Sequence, residues 1–214
     1  MLRTWIRNLF YTVVLYGVSA ASHAGAYEDF FKAIELDDPR TVTRLLQRGF
    51  DPNTPDPQGQ VGLFLALRGG SEQVVRVLVA HPDLRVEATN ASDETALMMA
   101  ALRGALEPAR RLLDRGARVD RPGWTPLHYA AAGPSVPMVR LLLERGAPID
   151  ARSANGTTPL MMAARYGTEE AAAFLLERGA DASLRNQLEL GAADFARAAG
   201  REELAKRLDG LVRR

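Results

Sequence analysis

The sequence predicts an all-α solenoid, in which short pairs of helices stack side by side in one row. Two observations predict it: a helix-start motif recurs along the chain, and each copy is followed by a second apolar run. The clearest copy is Gly123–Ala132, where Thr125 can cap a helix and Pro126 suits the first helical position. Because so short a helix is not stable alone in water, it needs the neighbours that the repetition supplies.

The helix-start motif recurs at nearly regular intervals. Alignment on the alanine that ends its six-residue window gives steps of 33, 34, 30, 33 and 33 residues. The six alanines are Ala33, Ala66, Ala100, Ala130, Ala163 and Ala196. Such a period is typical of stacked repeats, each of which buries its apolar surface against its neighbours. The one short step predicts a clipped loop between Gly116 and Thr125, with its turn at Pro122 and Gly123.

Each repeat is predicted to contain a second helix that ends at a glycine. The apolar run Val139–Leu143 has helical spacing, and Arg-Gly follows it and three of its equivalents. A glycine directly after a helix can adopt the left-handed conformation that ends the helix. The four glycines are Gly49, Gly116, Gly146 and Gly179. The second repeat departs from this pattern, since His81-Pro82-Asp83 stands there instead.

Together these features resemble the ankyrin repeat. The resemblance is carried by Thr-Pro-Leu-His-x-Ala-Ala, by Leu-Leu-Leu-x-x-Gly-Ala and by the repeat length, and it covers residues 27–214. It implies about six helix-turn-helix units with β-hairpin-like loops that project at right angles to the helices. The expected units are approximately 27–57, 58–90, 91–120, 121–153, 154–186 and 187–214. The first and last units depart most from the motif and are expected to act as caps.

Residues 1–24 have the order of a bacterial secretory signal peptide. Arg3 and Arg7 precede the apolar run Leu9–Val18, and small residues follow it. This run is shorter than the roughly 20 residues that a membrane-spanning helix requires. We therefore expect cleavage after Ala24 or Ala26 and a periplasmic or secreted protein. The alternative is an uncleaved leader, which would be the only membrane contact and would tether the domain.

Composition and motifs argue against several other kinds of function. The formal net charge is +1, which does not favour nucleic-acid binding, and the absence of cysteine excludes thiolate metal sites and a cysteine nucleophile. His128 is the obvious candidate for catalysis or metal binding, but the resemblance implies that it hydrogen-bonds at helix starts and ties adjacent loops. Met98 and Met161 favour core packing over a copper site. No catalytic residue, metal or cofactor is expected.

We expect the chain to bind another protein. The resemblance implies a binding surface made by the loop tips and by the inner, first helix of each repeat. The candidate residues on this surface are Arg68, Arg103, Trp124, Arg165 and Tyr166. Trp, Tyr and Arg are over-represented among binding hot spots. The predicted function is a non-catalytic adaptor, inhibitor or immunity-type protein that binds an exported or envelope protein through its concave face. The alternatives are a membrane-tethered scaffold and an enzyme with an unrecognised site.

Overall fold

The computed structural model describes residues 25–212 as one row of helix pairs, so the predicted leader, residues 1–24, lies outside the described residues. The first helix, α1, is described over residues 25–35. The others are α2 (Pro39–Gln47), α3 (Gly62–Gly69), α4 (Glu72–Ala80), α5 (Ala96–Arg103), α6 (Leu106–Asp114), α7 (Pro126–Ala132), α8 (Val136–Glu144), α9 (Pro159–Arg165), α10 (Glu169–Glu177), α11 (Ala192–Ala198) and α12 (Glu202–Val212). These twelve helices form six pairs, which confirms the predicted solenoid. Within residues 25–212, no helix combines the length and the apolar character that crossing a membrane requires.

The odd-numbered helices begin each pair and pack against one another along the row. Alanine is common among their buried residues, and all six motif alanines are buried. The even-numbered helices meet through larger side chains such as Val75, Leu142 and Leu175. Because the distance between packed helices depends on the side chains at the contact, the first helices approach one another more closely than the second helices do. We call the solvent-facing sides of the first helices, together with the loop tips, the concave face.

Four of the second helices end at a glycine, as predicted. Gly49, Gly116, Gly146 and Gly179 have φ angles between 87° and 92°. At the end of α8, the N–H of Gly146 donates to the carbonyl of Leu143, and the N–H of Ala147 donates to that of Leu142, both at 3.0 Å. These bonds satisfy carbonyl groups that the helix leaves without a partner and turn the chain into the next loop.

Helix α4 ends without a glycine, and Arg115 of the next repeat supplies its cap. The Arg115 guanidinium donates to four carbonyl oxygens at 2.9, 2.6, 2.8 and 3.1 Å. The four carbonyls belong to Val79, His81, Pro82 and Leu84. The missing glycine is therefore compensated by a charge-assisted contact between two repeats, which local sequence does not reveal.

Five loops connect the six pairs, and four of them share one tip geometry. In each of the four, the N–H of the first tip residue donates to the carbonyl oxygen of the residue four positions later. The pairs are Asp56 and Gln60, Asn90 and Glu94, Ser153 and Thr157, and Asn186 and Leu190, at 2.9–3.1 Å. Three of these loops also contain an antiparallel β-bridge. The β-hairpin-like loops are thus confirmed.

The loop between α6 and α7 is the clipped one. Its tip keeps the predicted turn, since Gly123 has a φ of 79°. The three missing residues fall earlier: Gly116 and Asp120 are four positions apart, whereas Gly146 and Ser153 in the next repeat are seven apart. The shortening therefore removes the outgoing arm of the loop. The tip keeps its left-handed Gly123 but does not form the hydrogen bond that the other four tips share.

Candidate protein-binding surface

His128 is a structural residue at the start of α7. Its side chain is buried, and its Nδ1 accepts a hydrogen bond from the N–H of Thr125 at 3.1 Å. The ring proton is therefore assigned to Nε2, which donates to the carbonyl oxygen of Thr157 at 2.9 Å. Because Thr125 is the residue directly before α7 and Thr157 belongs to the next loop, the ring joins two repeats. This confirms the structural role implied by the family resemblance.

Burial lowers the pKa of His128, because removal from water disfavours the charged imidazolium. The hydrogen bond to the Thr157 carbonyl acts in the opposite direction and is the smaller effect. The folded protein consequently keeps this ring neutral at pH values where an exposed histidine is already protonated.

We expect His128→Met to lower the free energy of unfolding by about 1–2 kcal/mol at pH 7, because the Thr157 carbonyl loses its donor. Met98 and Met161 occupy the same position in sister repeats, so the new side chain should fit. The wild-type protein should also lose more stability than the variant between pH 7 and pH 5. The unfolded histidine binds a proton near pH 6.5 that the buried ring does not take up. Urea unfolding across this range measures both effects. If the stability of the wild type and of the variant changed with pH in the same way, the neutral state of the buried His128 would be contradicted.

The methionines at the histidine position pack in the interior. Met98 and Met161 are each 1% exposed. Their Sδ atoms lie 3.5 and 3.4 Å from the N–H nitrogens of Thr95 and Thr158, so the sulfur takes the place of the imidazole Nδ1. Among residues 25–212, no group of three or more His, Asp or Glu side chains is arranged to hold a metal ion. The packing interpretation therefore accounts for these methionines.

The three candidate arginines are exposed at the ends of the first helices. Arg68 and Arg165 lie two positions after the motif alanine, and Arg103 lies three positions after it. Arg68 donates to Oε1 of Gln60 at 2.6 Å and so contacts the preceding loop tip. The guanidinium of Arg103 lies beside Gly70 of the preceding repeat. Arg68 and Arg103 thus contact different neighbours, and the role of all three arginines in binding stays a prediction.

Trp124 and Tyr166 present aromatic surface to solvent. Trp124 is 37% exposed, and its ring meets the buried His128 ring edge-on, with 5.1 Å between centroids. Tyr166 is 56% exposed, and the Arg165 guanidinium lies 5.2 Å from its ring centroid, within range of a cation–π interaction. Because local contacts hold both rings, less conformational entropy would be lost when a partner covers them.

The structure also exposes apolar residues that sequence reasoning did not select. Leu188 and Leu190, at the tip of the last loop, are 73% and 40% exposed. Half-buried apolar side chains on the first helices add to this surface: Tyr129, Met162 and Phe195. The repeat register could have identified Leu190, because Leu190 and Trp124 both stand directly before the N-cap residue of a first helix. The weak motif of the last repeat obscured this equivalence.

The tip that carries the two leucines is held against the preceding loop. The backbone N–H of Gln187 donates to the carbonyl of Asn155, and its side-chain amide donates to that of Ala154, both at 2.9 Å. Arg152 donates to the carbonyl of Arg185 at 2.6 Å. The exposed leucines therefore project from an ordered support.

Polar contacts join the clipped loop and α7 to the loop before them. The hydroxyl of Tyr129 donates to Glu94 at 2.8 Å, and Arg121 pairs with Asp93 at 2.8 Å. Burial raises the pKa of Tyr129, and the hydrogen bond to Glu94 adds to this increase. The phenol therefore remains a protonated donor at neutral pH, and both carboxylates are already engaged within the protein.

The family model for ankyrin repeats (3 copies) matches residues 30–122 and 118–186. Together these two matches span residues 30–186, which is most of the chain and includes α2 to α10. The chain therefore belongs to the ankyrin-repeat family.

One similar solved structure is a chain from a complex described as a predatory endopeptidase from Bdellovibrio bacteriovorus with an immunity protein. It has a TM-score of 0.71 and 30% identity, covering 85% of this chain and 97% of that chain. The mouse ankyrin repeat and SAM domain-containing protein 6 is 31% identical over 128 residues, 58% of this chain and 14% of that protein. The mouse B-cell lymphoma 3 protein homolog is 32% identical over 127 residues, 56% of this chain and 28% of that protein. The chain thus spans less than a third of these two curated relatives.

Proposed function

We propose that this chain is a non-catalytic protein-binding module that acts outside the cytoplasm and binds an exported or envelope protein through its concave face. The observation that carries the proposal is its similarity to a chain of the endopeptidase–immunity protein complex, which extends over 97% of that chain. Among the adaptor, inhibitor and immunity-type roles, this similarity favours the immunity type. The expected partner is then an exported peptidase or another hydrolase of the cell envelope.

The concave face has the physical features that such binding needs. Two aromatic rings and two leucines are exposed there on supports that hydrogen bonds and ring contacts hold in place. A preorganised surface loses little entropy on association, so more of the contact energy remains as affinity. The location outside the cytoplasm depends on the leader predicted for residues 1–24.

The proposal is tested by capture of a partner from the cell envelope of the natural host. The full chain with a C-terminal tag is crosslinked in intact cells and compared with a Tyr166→Ala/Leu190→Ala variant of the concave face. Lys206→Ala, an exposed change on α12, serves as the control. An envelope protein recovered with the wild type and the control, but not with the concave-face variant, supports the proposal. Equal recovery with all three, or no recovered partner, contradicts it.

Replacing Arg68, Arg103 and Arg165 together by alanine should weaken binding of that partner at least tenfold, about 1.4 kcal/mol. The thermal transition should remain nearly unchanged, because all three side chains are exposed and exposed polar contacts contribute little to stability. Calorimetric titration and thermal unfolding of the same samples measure the two quantities. Unchanged affinity would remove the arginines from the binding surface.

A further inference from the structure

Backbone strain in the described part of the chain occurs at three residues that have a side chain but a positive φ angle. They are Asp37, Asp93 and Glu189, with φ angles of 50°, 60° and 57°. In this left-handed region the Cβ atom crowds the backbone, so any residue other than glycine is destabilised there. Aspartate tolerates the conformation better than glutamate does. Such strained residues are concentrated at binding and active sites.

The two aspartates use their side chains within the protein. Asp37 accepts hydrogen bonds from the N–H groups of Gln73 and Val74 at 3.3 and 2.9 Å, and so caps α4 from the preceding repeat. Asp93 pairs with Arg121 at 2.8 Å. At both positions a contact made by the side chain therefore offsets the strained backbone.

Glu189, at the tip of the last loop, has no such compensation inside the protein. Arg185 donates to its backbone carbonyl at 2.7 Å, but pairs at 3.8 Å with the carboxylate of Asp194. The exposed carboxylate of Glu189 forms no hydrogen bond or ion pair with any residue between 25 and 212. The tips of the first and fourth loops have Gly59 and Gly156 at the same position. The fold would thus be served by glycine, and the glutamate side chain has no structural role.

The residues on either side of Glu189 indicate what its side chain meets in a complex. Leu188 and Leu190 are 73% and 40% exposed. A partner that covers these leucines also removes the carboxylate between them from water. Since a dehydrated carboxylate is costly unless a charged donor pairs with it, the partner must supply that donor.

We propose that Glu189 is a specificity-determining residue of the concave face, and that its carboxylate pairs with an arginine or lysine of the partner. Leu188 and Leu190 shield this ion pair from water. The strain at position 189 then lowers the stability of the free protein and is offset only in the complex. This inference rests on the proposed function and specifies the chemistry of one contact.

The strain is tested in the free protein by thermal unfolding. Glu189→Gly should raise the melting temperature by about 2–4 °C, because glycine adopts a φ of 57° without strain. Asp93→Gly is the matched control and should not raise it, because that change also removes the pair with Arg121. Gly59→Glu should lower it, since a Cβ there would meet nothing within 4 Å and the backbone strain alone is added.

The contact is tested with the envelope protein recovered by crosslinking, purified and titrated calorimetrically against the full chain. Glu189→Gln keeps the strain and the length of the side chain but removes its charge, and should weaken binding about tenfold or more. Glu144→Gln makes the same change at an exposed position of α8 and should bind as the wild type does. Glu189→Gly should combine weaker binding with higher stability, a combination that a purely structural residue would not produce.

Three outcomes would overturn the inference: wild-type affinity for Glu189→Gln, equal weakening by Glu144→Gln, or no gain in melting temperature for Glu189→Gly. Failure of the proposed function gives a different result. If Tyr166→Ala/Leu190→Ala loses the envelope partner while Glu189→Gln binds it as the wild type does, the proposed function stands and the ion pair at Glu189 is ruled out. If no partner is recovered with the wild type, both fail together.

Discussion

Gly167→Ala should destabilise the protein by about 3 kcal/mol, since it forces additional atoms into a closely packed contact. A Cβ atom at this position would lie 1.9 Å from the carbonyl oxygen of Ala131 and 3.0 Å from the Cα of Ala163. Both are backbone atoms of neighbouring first helices, α7 and α9, so no side-chain rotation can relieve the clash. Urea unfolding monitored by circular dichroism measures the loss.

Gly210→Ala is the control for this change. A Cβ atom at Gly210 in α12 would meet nothing within 4 Å, and alanine is the better helix former, so the variant should gain roughly 0.5 kcal/mol. The same substitution of glycine by alanine is thus expected to lower stability at position 167 and to raise it at position 210. If Gly167→Ala and Gly210→Ala changed the free energy of unfolding by similar amounts, the close contact of Gly167 with the backbone of α7 would not require a glycine.

Arg115→Ala should destabilise the protein by about 2–4 kcal/mol, because the end of α4 would lose a cap that no glycine replaces. Four carbonyl oxygens accept hydrogen bonds from this single guanidinium. Since the contact joins the second and third repeats, its loss should also weaken their coupling and broaden the unfolding transition. Thermal and urea unfolding both report this effect.

Arg145 provides the matched control, because it occupies the same position at the end of its helix. Arg145 pairs with the exposed Asp114 at 3.0 Å. The second helix of the preceding repeat, α6, already has the left-handed Gly116 after its last turn. Arg145→Ala should therefore cost less than about 1 kcal/mol. Arg115→Lys should recover only part of the loss, since an ammonium group cannot reach four carbonyls as the planar guanidinium does. Equal losses for the two alanine variants would refute the capping role.

Most of the fold could be predicted from the sequence, because its signals are local and recur in several repeats. The Thr125-Pro126 start, the left-handed glycines such as Gly146 and the alanine surfaces each act within one or two turns of helix. The clipped loop followed from a count of residues, and its turn at Gly123 is where the motif placed it. The role of His128 came from the family resemblance, and the hydrogen bonds confirm it.

The candidate surface was less predictable, since exposure depends on neighbouring repeats. Trp124 and Tyr166 were selected as exposed residues, and they are exposed. Leu188 and Leu190 were not selected, although the support from Gln187 to the preceding loop makes them prominent. Arg103 stands one position later in its repeat than Arg68 and Arg165 do, and its contact with Gly70 was not evident from the sequence.

The sequence by itself determined the class of fold, the number of repeats and the ends of most helices, because backbone conformation there depends on residues close in the chain. Only the tertiary structure decided how α4 is capped, why Gly167 has no room for a side chain and which apolar residues face solvent. These features arise between residues about one repeat apart in sequence, some 30 positions, and a local motif carries no information about such contacts.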